Sequence, residues 1–145
     1  MKKKIISMIC LLCVLTMVGC GSLSKSAIQG DLTGVKSYVA QGEKVNQVDK
    51  YGWTPLMWAA YYNYYSIAKY LLENGVDPNI KSTDIQGNIP VGSTALIVAA
   101  YYGHKDTVKF LLEHGADKSI KNDAGETARS LAEKYQFTDV VDLLK

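Results

Sequence analysis

The sequence predicts an all-α solenoid of about four stacked helix-turn-helix units, and three observations carry that prediction. The first is an internal period. Val35-Lys36-Ser37-Tyr38-Val39-Ala40-Gln41-Gly42 returns 33 residues later as Ala68-Lys69-Tyr70-Leu71-Leu72-Glu73-Asn74-Gly75. It returns again, 40 residues on, as Val108-Lys109-Phe110-Leu111-Leu112-Glu113-His114-Gly115, and a last time as Val141-Asp142-Leu143-Leu144-Lys145. The second is punctuation in register. Thr54-Pro55-Leu56, Thr94-Ala95-Leu96 and Thr127-Ala128-Arg129 follow Gly52, Gly92 and Gly125 at the same intervals. The third is amphipathicity. Val108, Leu111 and Leu112 fall at i, i+3 and i+4, giving a helix one apolar face that only a like-shaped neighbour can cover. Repeats of this length with two helices each bury a continuous core by stacking, and about three are needed for stability.

Each element has a local reason. Thr54 suits a helix N-cap, with Pro55 at the first helical position, where its missing N–H costs nothing. Gly103 marks a tight turn between two helices, and Gly115 suits the left-handed position past a helix end. Asn63 and Gln136 stand where Gly103 would be expected, and Gln tolerates a left-handed backbone less well than Asn. Residues 23–29 read as a shortened first helix ending at Gly30-Asp31. Ala59-Ala60 and Ala99-Ala100 are small, as close packing between units requires. Glu133 holds the register of Ala60 and Ala100 in the last unit, fitting an end whose outer side meets water.

Asp49-Lys50-Tyr51-Gly52-Trp53-Thr54-Pro55-Leu56-Met57-Trp58-Ala59-Ala60, with Gly75-Val76-Asp77-Pro78-Asn79, resembles the ankyrin repeat. The Gly103-His104 turn and Gly115-Ala116-Asp117 match it more closely still. The resemblance covers residues 23–145, divided at about 23–48, 49–81, 82–121 and 122–145. It implies β-hairpin fingers between the helix pairs. Met57 and Ile97 occupy a place where the family often has His. Residues 82–92 hold the seven-residue excess that turns 33 into 40, so the third finger is expected to project further than its neighbours. Insertions of this kind fall in loops, often on the binding face, and loop length itself costs little stability.

The first 19 residues read as an export signal. Lys2, Lys3 and Lys4 precede an apolar run over residues 5–18, too short for a membrane-spanning helix of about 20 residues. Met17-Val18-Gly19-Cys20 resembles a bacterial lipobox, which implies that Cys20 is lipidated and becomes the first mature residue. An ordinary secretory signal cut nearby is the other reading. Residues 20–22 would then be a tether too short to lift the repeats far from a bilayer. Gly21 after the cysteine implies, by the same resemblance, the outer membrane facing the periplasm if the source has two membranes.

Removal of this segment changes the charge argument. All three cysteines lie within residues 1–20, and Cys10-Leu11-Leu12-Cys13 sits in the apolar run with no second ligand pair. Of 16 basic side chains, losing the three lysines leaves 13 against 14 acidic ones, a net charge of −1. With no basic face, nucleic acid is excluded as a partner class. No nucleophile elbow, phosphate-binding glycine loop or metal-ligand spacing is present. Neither an enzyme nor a cofactor is expected. His104 and His114 fall where the resembled family commonly has histidine, and His104 is expected to bond between repeats.

Ten tyrosines in 145 residues supply the functional signal. The resemblance places partner-contacting positions on the fingers and just after the paired alanines. Those positions hold Lys50, Tyr51, Trp53, Tyr61 and Tyr62, then Ser93, Tyr101 and Tyr102, and finally Asp123, Ala124, Glu126, Lys134 and Tyr135. Tyr and Trp bring large contact area at low conformational cost and dominate binding hot spots. Tyr64, Tyr65 and Tyr70 read as structural or scattered surface residues. The expectation is a monomeric, membrane-anchored module that binds a protein partner through a Tyr/Trp-rich concave groove. Its sharpest form is an immunity-type role, neutralising or chaperoning a secreted toxin or envelope enzyme. The alternative is a structural envelope lipoprotein without a specific ligand.

Overall fold

Residues 22–145 are described by the computed structural model. The expected export signal (residues 1–19), Cys20 and Gly21 lie outside the described residues. Ser22 caps the first helix, its hydroxyl accepting from the Lys25 N–H, and α1 (Leu23–Gln29) ends at Gly30 in a left-handed conformation. Asp31 caps α2 (Leu32–Ala40) through the Gly34 N–H. There follow α3 (Pro55–Tyr61), α4 (Tyr65–Glu73), α5 (Ala95–Tyr101), α6 (Lys105–Glu113), α7 (Ala128–Lys134) and α8 (Thr138–Leu143). Four helix pairs therefore stack as the period predicts.

The threonines start the odd-numbered helices. Thr54, Thr94 and Thr127 are extended at the cap, and each hydroxyl accepts from the third helical N–H. Such caps are worth about 1 kcal/mol each. The reciprocal bond varies with the residue three places on. Thr127 N donates to Ser130 Oγ at 2.9 Å, whereas Thr54 N has only the weak Met57 Sδ acceptor at 3.5 Å.

The odd helices pack in sequence as an inner row and the even helices as an outer row. Ala27, Ala59, Ala60, Ala99, Ala100 and Ala132 are all fully buried along the inner row, so neighbouring backbones approach closely. Val35, Leu71, Leu111 and Val140 carry the outer helices onto the same core. The outward faces of α4 and α6 carry half-exposed Lys69–Glu73 and Lys109–Glu113 pairs.

The turn joining the helices of each pair needs a left-handed residue. Gly103 supplies one at φ 70°, and a β-carbon there would lie 2.6 Å from the Phe137 ring. Asn63 (φ 57°) and Gln136 (φ 63°) adopt the same conformation with side chains attached. For a non-glycine residue this costs about 1–2 kcal/mol. Asn63 offsets part of it by accepting from the buried Thr107 hydroxyl at 3.1 Å.

The fingers differ from expectation in form. Among the described residues there is no strand, only an isolated Gln86–Ile89 bridge. Each finger instead closes through two backbone bonds around a glycine. Asp49 N donates to Trp53 O and Gly52 N to Asp49 O; the same pair recurs at Ser82, Ser93 and Gly92, and at Asn122, Glu126 and Gly125. Two bonds across so tight a turn are too few to build a ladder. The third finger has the standard base, so its seven extra residues are spliced in at the tip between Asp84 and Gly92.

Candidate functional site

Tyrosines at the ends of the inner helices meet as the register predicts. Starting from repeat two, Tyr51 stands edge-on to Trp58 at 5.9 Å, and Trp58 stacks on Tyr62 at 6.2 Å between ring centres. Tyr62 meets Tyr61 at 4.9 Å, and Tyr61 crosses to Tyr102 of the next repeat at 5.0 Å. Tyr102 meets Tyr101 at 4.8 Å, and Tyr101 meets Tyr135 of the last repeat at 4.7 Å. Edge-to-face pairs at these separations add about 0.5–1.5 kcal/mol each beyond burial. The row thus runs unbroken across three repeats, with Tyr51, Tyr62 and Tyr135 each about 40% exposed.

Both ends carry a lysine over a tyrosine face. Lys50 Nζ lies 4.8 Å from the Tyr51 ring centre, and Lys134 Nζ lies 5.6 Å from that of Tyr135. Lys134 also donates to Glu126 at 3.0 Å, and that hydrogen bond holds its pKa above the ordinary lysine value. Burial, aided by a hydrogen bond with Tyr61, pushes the Tyr102 phenol well up. A hydrogen bond with Tyr135 is the main cause of the rise at Tyr101, and a bond with the Asn88 side chain opposes it. At neutral pH these groups are uncharged phenols able to donate and accept. The row therefore offers flat apolar faces edged with hydroxyls.

His104 ties two repeats together beneath this row. Its Nε2 lies 3.3 Å from the Tyr61 carbonyl oxygen, and its ring stacks on Tyr102 at 5.8 Å. Burial lowers its pKa, with the backbone contact acting the other way.

Two of the expected groove residues are not on the surface. Trp53 and Ser93 are both completely buried. Each follows the finger glycine, and its carbonyl takes the closing backbone bond, which turns the side chain inward. Trp53 packs on Trp58 at 4.9 Å and Tyr61 at 5.7 Å, while Ser93 Oγ donates to Pro90 O at 2.7 Å. The other expected contacts, Lys50, Tyr51, Tyr61, Tyr62, Tyr101, Tyr102, Asp123, Ala124, Glu126, Lys134 and Tyr135, are exposed or half-buried.

Three residues were not anticipated. Trp58 is the hub of the repeat-two cluster, and its Nε1 donates to Asp49 Oδ2 at 2.8 Å. Its spacing of three and four from Tyr61 and Tyr62 placed it on their face. Asn88 and Ile89 come from the insertion, which does not simply project. Ile85 at the tip is 61% exposed, yet Ile89 is fully buried and the Asn88 side chain reaches Tyr101. A β-carbon at Gly87 would sit 3.9 Å from the Tyr61 hydroxyl. The loop folds back over the tyrosines because a buried isoleucine is worth about 1.5–3 kcal/mol.

Tyr65 stacks edge-on with Phe110 at 5.6 Å, joining α4 to α6, and Tyr64 covers Gly30 of repeat one. Among the described residues no three His, Cys, Asp or Glu side chains converge as metal ligands, and no helix is long and apolar enough to cross a membrane.

Stacked helix pairs with finger turns and an aromatic inner face define a repeat-built protein-interaction scaffold. A family profile described as ankyrin repeats (three copies) matches residues 13–82 and 80–145, and the chain belongs to the ankyrin-repeat family. It is 34% identical over 74 residues to human DNA-binding protein RFXANK, covering 50% of this chain and 28% of that protein. Against human protein phosphatase 1 regulatory subunit 27 it is 36% identical over 72 residues, covering 50% of this chain and 46% of the relative. Against human ankyrin repeat family A protein 2 it is 36% identical over 59 residues, 41% of this chain and 19% of that protein. In each case the chain spans less than half the relative's length. Two of these relatives are by name a DNA-binding protein and a phosphatase regulatory subunit, and ankyrin repeats are protein–protein interaction modules.

Proposed function

We propose that this chain is a membrane-anchored binding module that holds a protein partner against its tyrosine row. The observation that carries this reading is the unbroken aromatic path from Tyr51 to Tyr135, edged by Lys50 and Lys134. Core packing alone does not require Tyr51, Tyr62 and Tyr135 to stand partly in water. The partner is a folded secreted toxin or envelope enzyme that the module neutralises or chaperones, and the unbound module is a monomer. Anchoring runs through lipidated Cys20 in the bacterial envelope, at the periplasmic side of the outer membrane in a two-membrane cell. The lipobox-like Met17-Val18-Gly19-Cys20 supports that part.

Capture of envelope proteins by the form beginning at Gly21, compared with a Tyr62→Ala/Tyr135→Ala variant, tests the binding face. The double variant is expected to stay folded and lose the partner; a folded variant that keeps every partner sinks the groove. Cys20→Ala tests the anchor separately, and its unchanged retention by membranes would remove the lipid.

A further inference from the structure

We infer that residues 85–91 form a strap that occupies the centre of the tyrosine groove and regulates access to Tyr61 and Tyr101. The inference rests on the groove reading and adds a control to it. The splice point, the anchors and the balance of forces all bear on it.

The splice point comes first. The finger base closes through Ser82, Gly92 and Ser93 with the same backbone pair as its neighbours. Joining Asp84 directly to Gly92 would restore Ser82-Thr83-Asp84-Gly92-Ser93-Thr94, the counterpart of Asn122-Asp123-Ala124-Gly125-Glu126-Thr127. The stack therefore has no need of residues 85–91 to close this finger.

Their anchors lie in the groove. Gly87 passes over the Tyr61 hydroxyl, the Asn88 side chain reaches Tyr101, and Ile89 is fully buried in the core beneath them. Otherwise the segment is tethered by the short Gln86–Ile89 turn, by Pro90 O accepting from Ser93 Oγ at 2.7 Å and by Val91 O accepting from Asp123 N at 2.9 Å. Asp84, Ile85, Gly87 and Asn88 are exposed. Gly87 at φ 59° and Gly92 at φ 79° give the segment backbone hinges inside and at its end.

The hold is firm but limited. Lifting the strap exposes Ile89, frees the Pro90 and Val91 carbonyls from Ser93 Oγ and Asp123 N, and separates Asn88 from Tyr101, which at ordinary values leaves about one molecule in ten thousand open. A partner that needs Tyr61 and Tyr101 then binds about ten-thousandfold more weakly than to an open groove. Tyr51, Tyr62 and Tyr135 lie outside the strap's contacts and form the part of the row a partner meets first.

Hydrogen exchange on the intact protein tests the strap without any partner. The Ile89 and Asp123 amides are expected to show protection of about ten-thousandfold, below that of α3 and α5, since local openings exchange independently of global unfolding. Protection equal to that of α5 would mean the segment never lifts by itself. No protection would mean it does not lie in the groove. Either result overturns the strap.

Excising residues 85–91 supplies the second measurement. Acetylation of tyrosine hydroxyls by N-acetylimidazole, mapped by mass spectrometry, should rise at Tyr61 and Tyr101 and stay constant at Tyr38 and Tyr70. A variant with intact helical circular dichroism and unchanged labelling at Tyr61 and Tyr101 overturns the proposal. Should excision prevent folding, Asn88→Ala replaces it. Faster exchange at Ile89 is expected there, and unchanged exchange counts against the strap. Neither measurement uses a partner, so the strap can fail while the groove stands, and the capture experiment can fail while the strap stands.

Discussion

The inner and outer helix rows share one period but divide the labour. Six of the seven residues in α3, and likewise in α5, are buried, so nearly every side chain there is fixed by a neighbouring repeat. In α4 the buried set is Ile67, Ala68, Leu71 and Leu72, and in α6 it is Thr107, Val108 and Leu111. Tyr70, Phe110 and Leu112 are half-buried against that core, and the other outer positions face water, where Lys69–Glu73 and Lys109–Glu113 pair. Because α3 and α5 have little surface of their own, what they display is confined to their C-terminal ends, and those ends hold Tyr61, Tyr62, Tyr101 and Tyr102. In this solenoid the tightly packed row also carries the recognition surface, while the looser row serves solubility.

Substitutions can break or sharpen that contrast, beginning with the largest effect. Trp53→Ala should cost about 3–5 kcal/mol in chemical denaturation, since it empties a fully buried site. Tyr62→Ala, on the same cluster but partly exposed, should cost less than about 1 kcal/mol in stability while abolishing partner capture. Equal stability losses would contradict the division between support and recognition. Next, Gly103→Ala should lose about 2–4 kcal/mol, combining a left-handed backbone with a clash against Phe137. In the opposite direction, Gln136→Gly should gain about 0.5–1 kcal/mol in thermal unfolding. Asn63→Gly should gain nothing comparable, because it forfeits the Thr107 bond.

A subtler test uses acid. Burial depresses the folded-state pKa of His104, so above about pH 6.5 the residue is neutral in both states and contributes no pH dependence. As the pH falls below that value the unfolded chain takes up the proton first. Stability is therefore lost through this window and levels off once the folded form also protonates. His104→Gln should flatten the melting temperature between pH 7 and pH 5 relative to the wild type. The smallest effect belongs to the outer row. Lys109→Ala should change stability by no more than about 0.5 kcal/mol, because its pair with Glu113 is half-exposed.

What the sequence disclosed follows the same divide. The threonine caps, the left-handed turn at Gly103 and the alanine pairs could be placed from one chain, because four copies of a unit must solve one packing problem. The inter-repeat contact of His104 was equally legible. The inward turn of Trp53 and Ser93 was not, since it depends on which finger residue gives its carbonyl to the closing bond. Nor could the path of residues 85–91 be read. An excess of seven residues announces a loop, but its direction is set by the distant side chains that bury Ile89. The aromatic row was visible in register, whereas the place of Trp58 as its hub emerges only in the folded stack.

The two backbone bonds that close each finger have a consequence for engineering. With the base latched by Asp49, Ser82 or Asn122, the length of the tip is uncoupled from the caps of the helices it joins. Nature has already lengthened one tip by seven residues without disturbing the caps on either side. The same junction should accept foreign peptide of comparable length, since loop closure costs rise slowly and exposed tips tolerate insertion. The segment from Asp84 to Gly92 is thus a grafting port, through which a short epitope or a cleavage sequence could be mounted across the inner face.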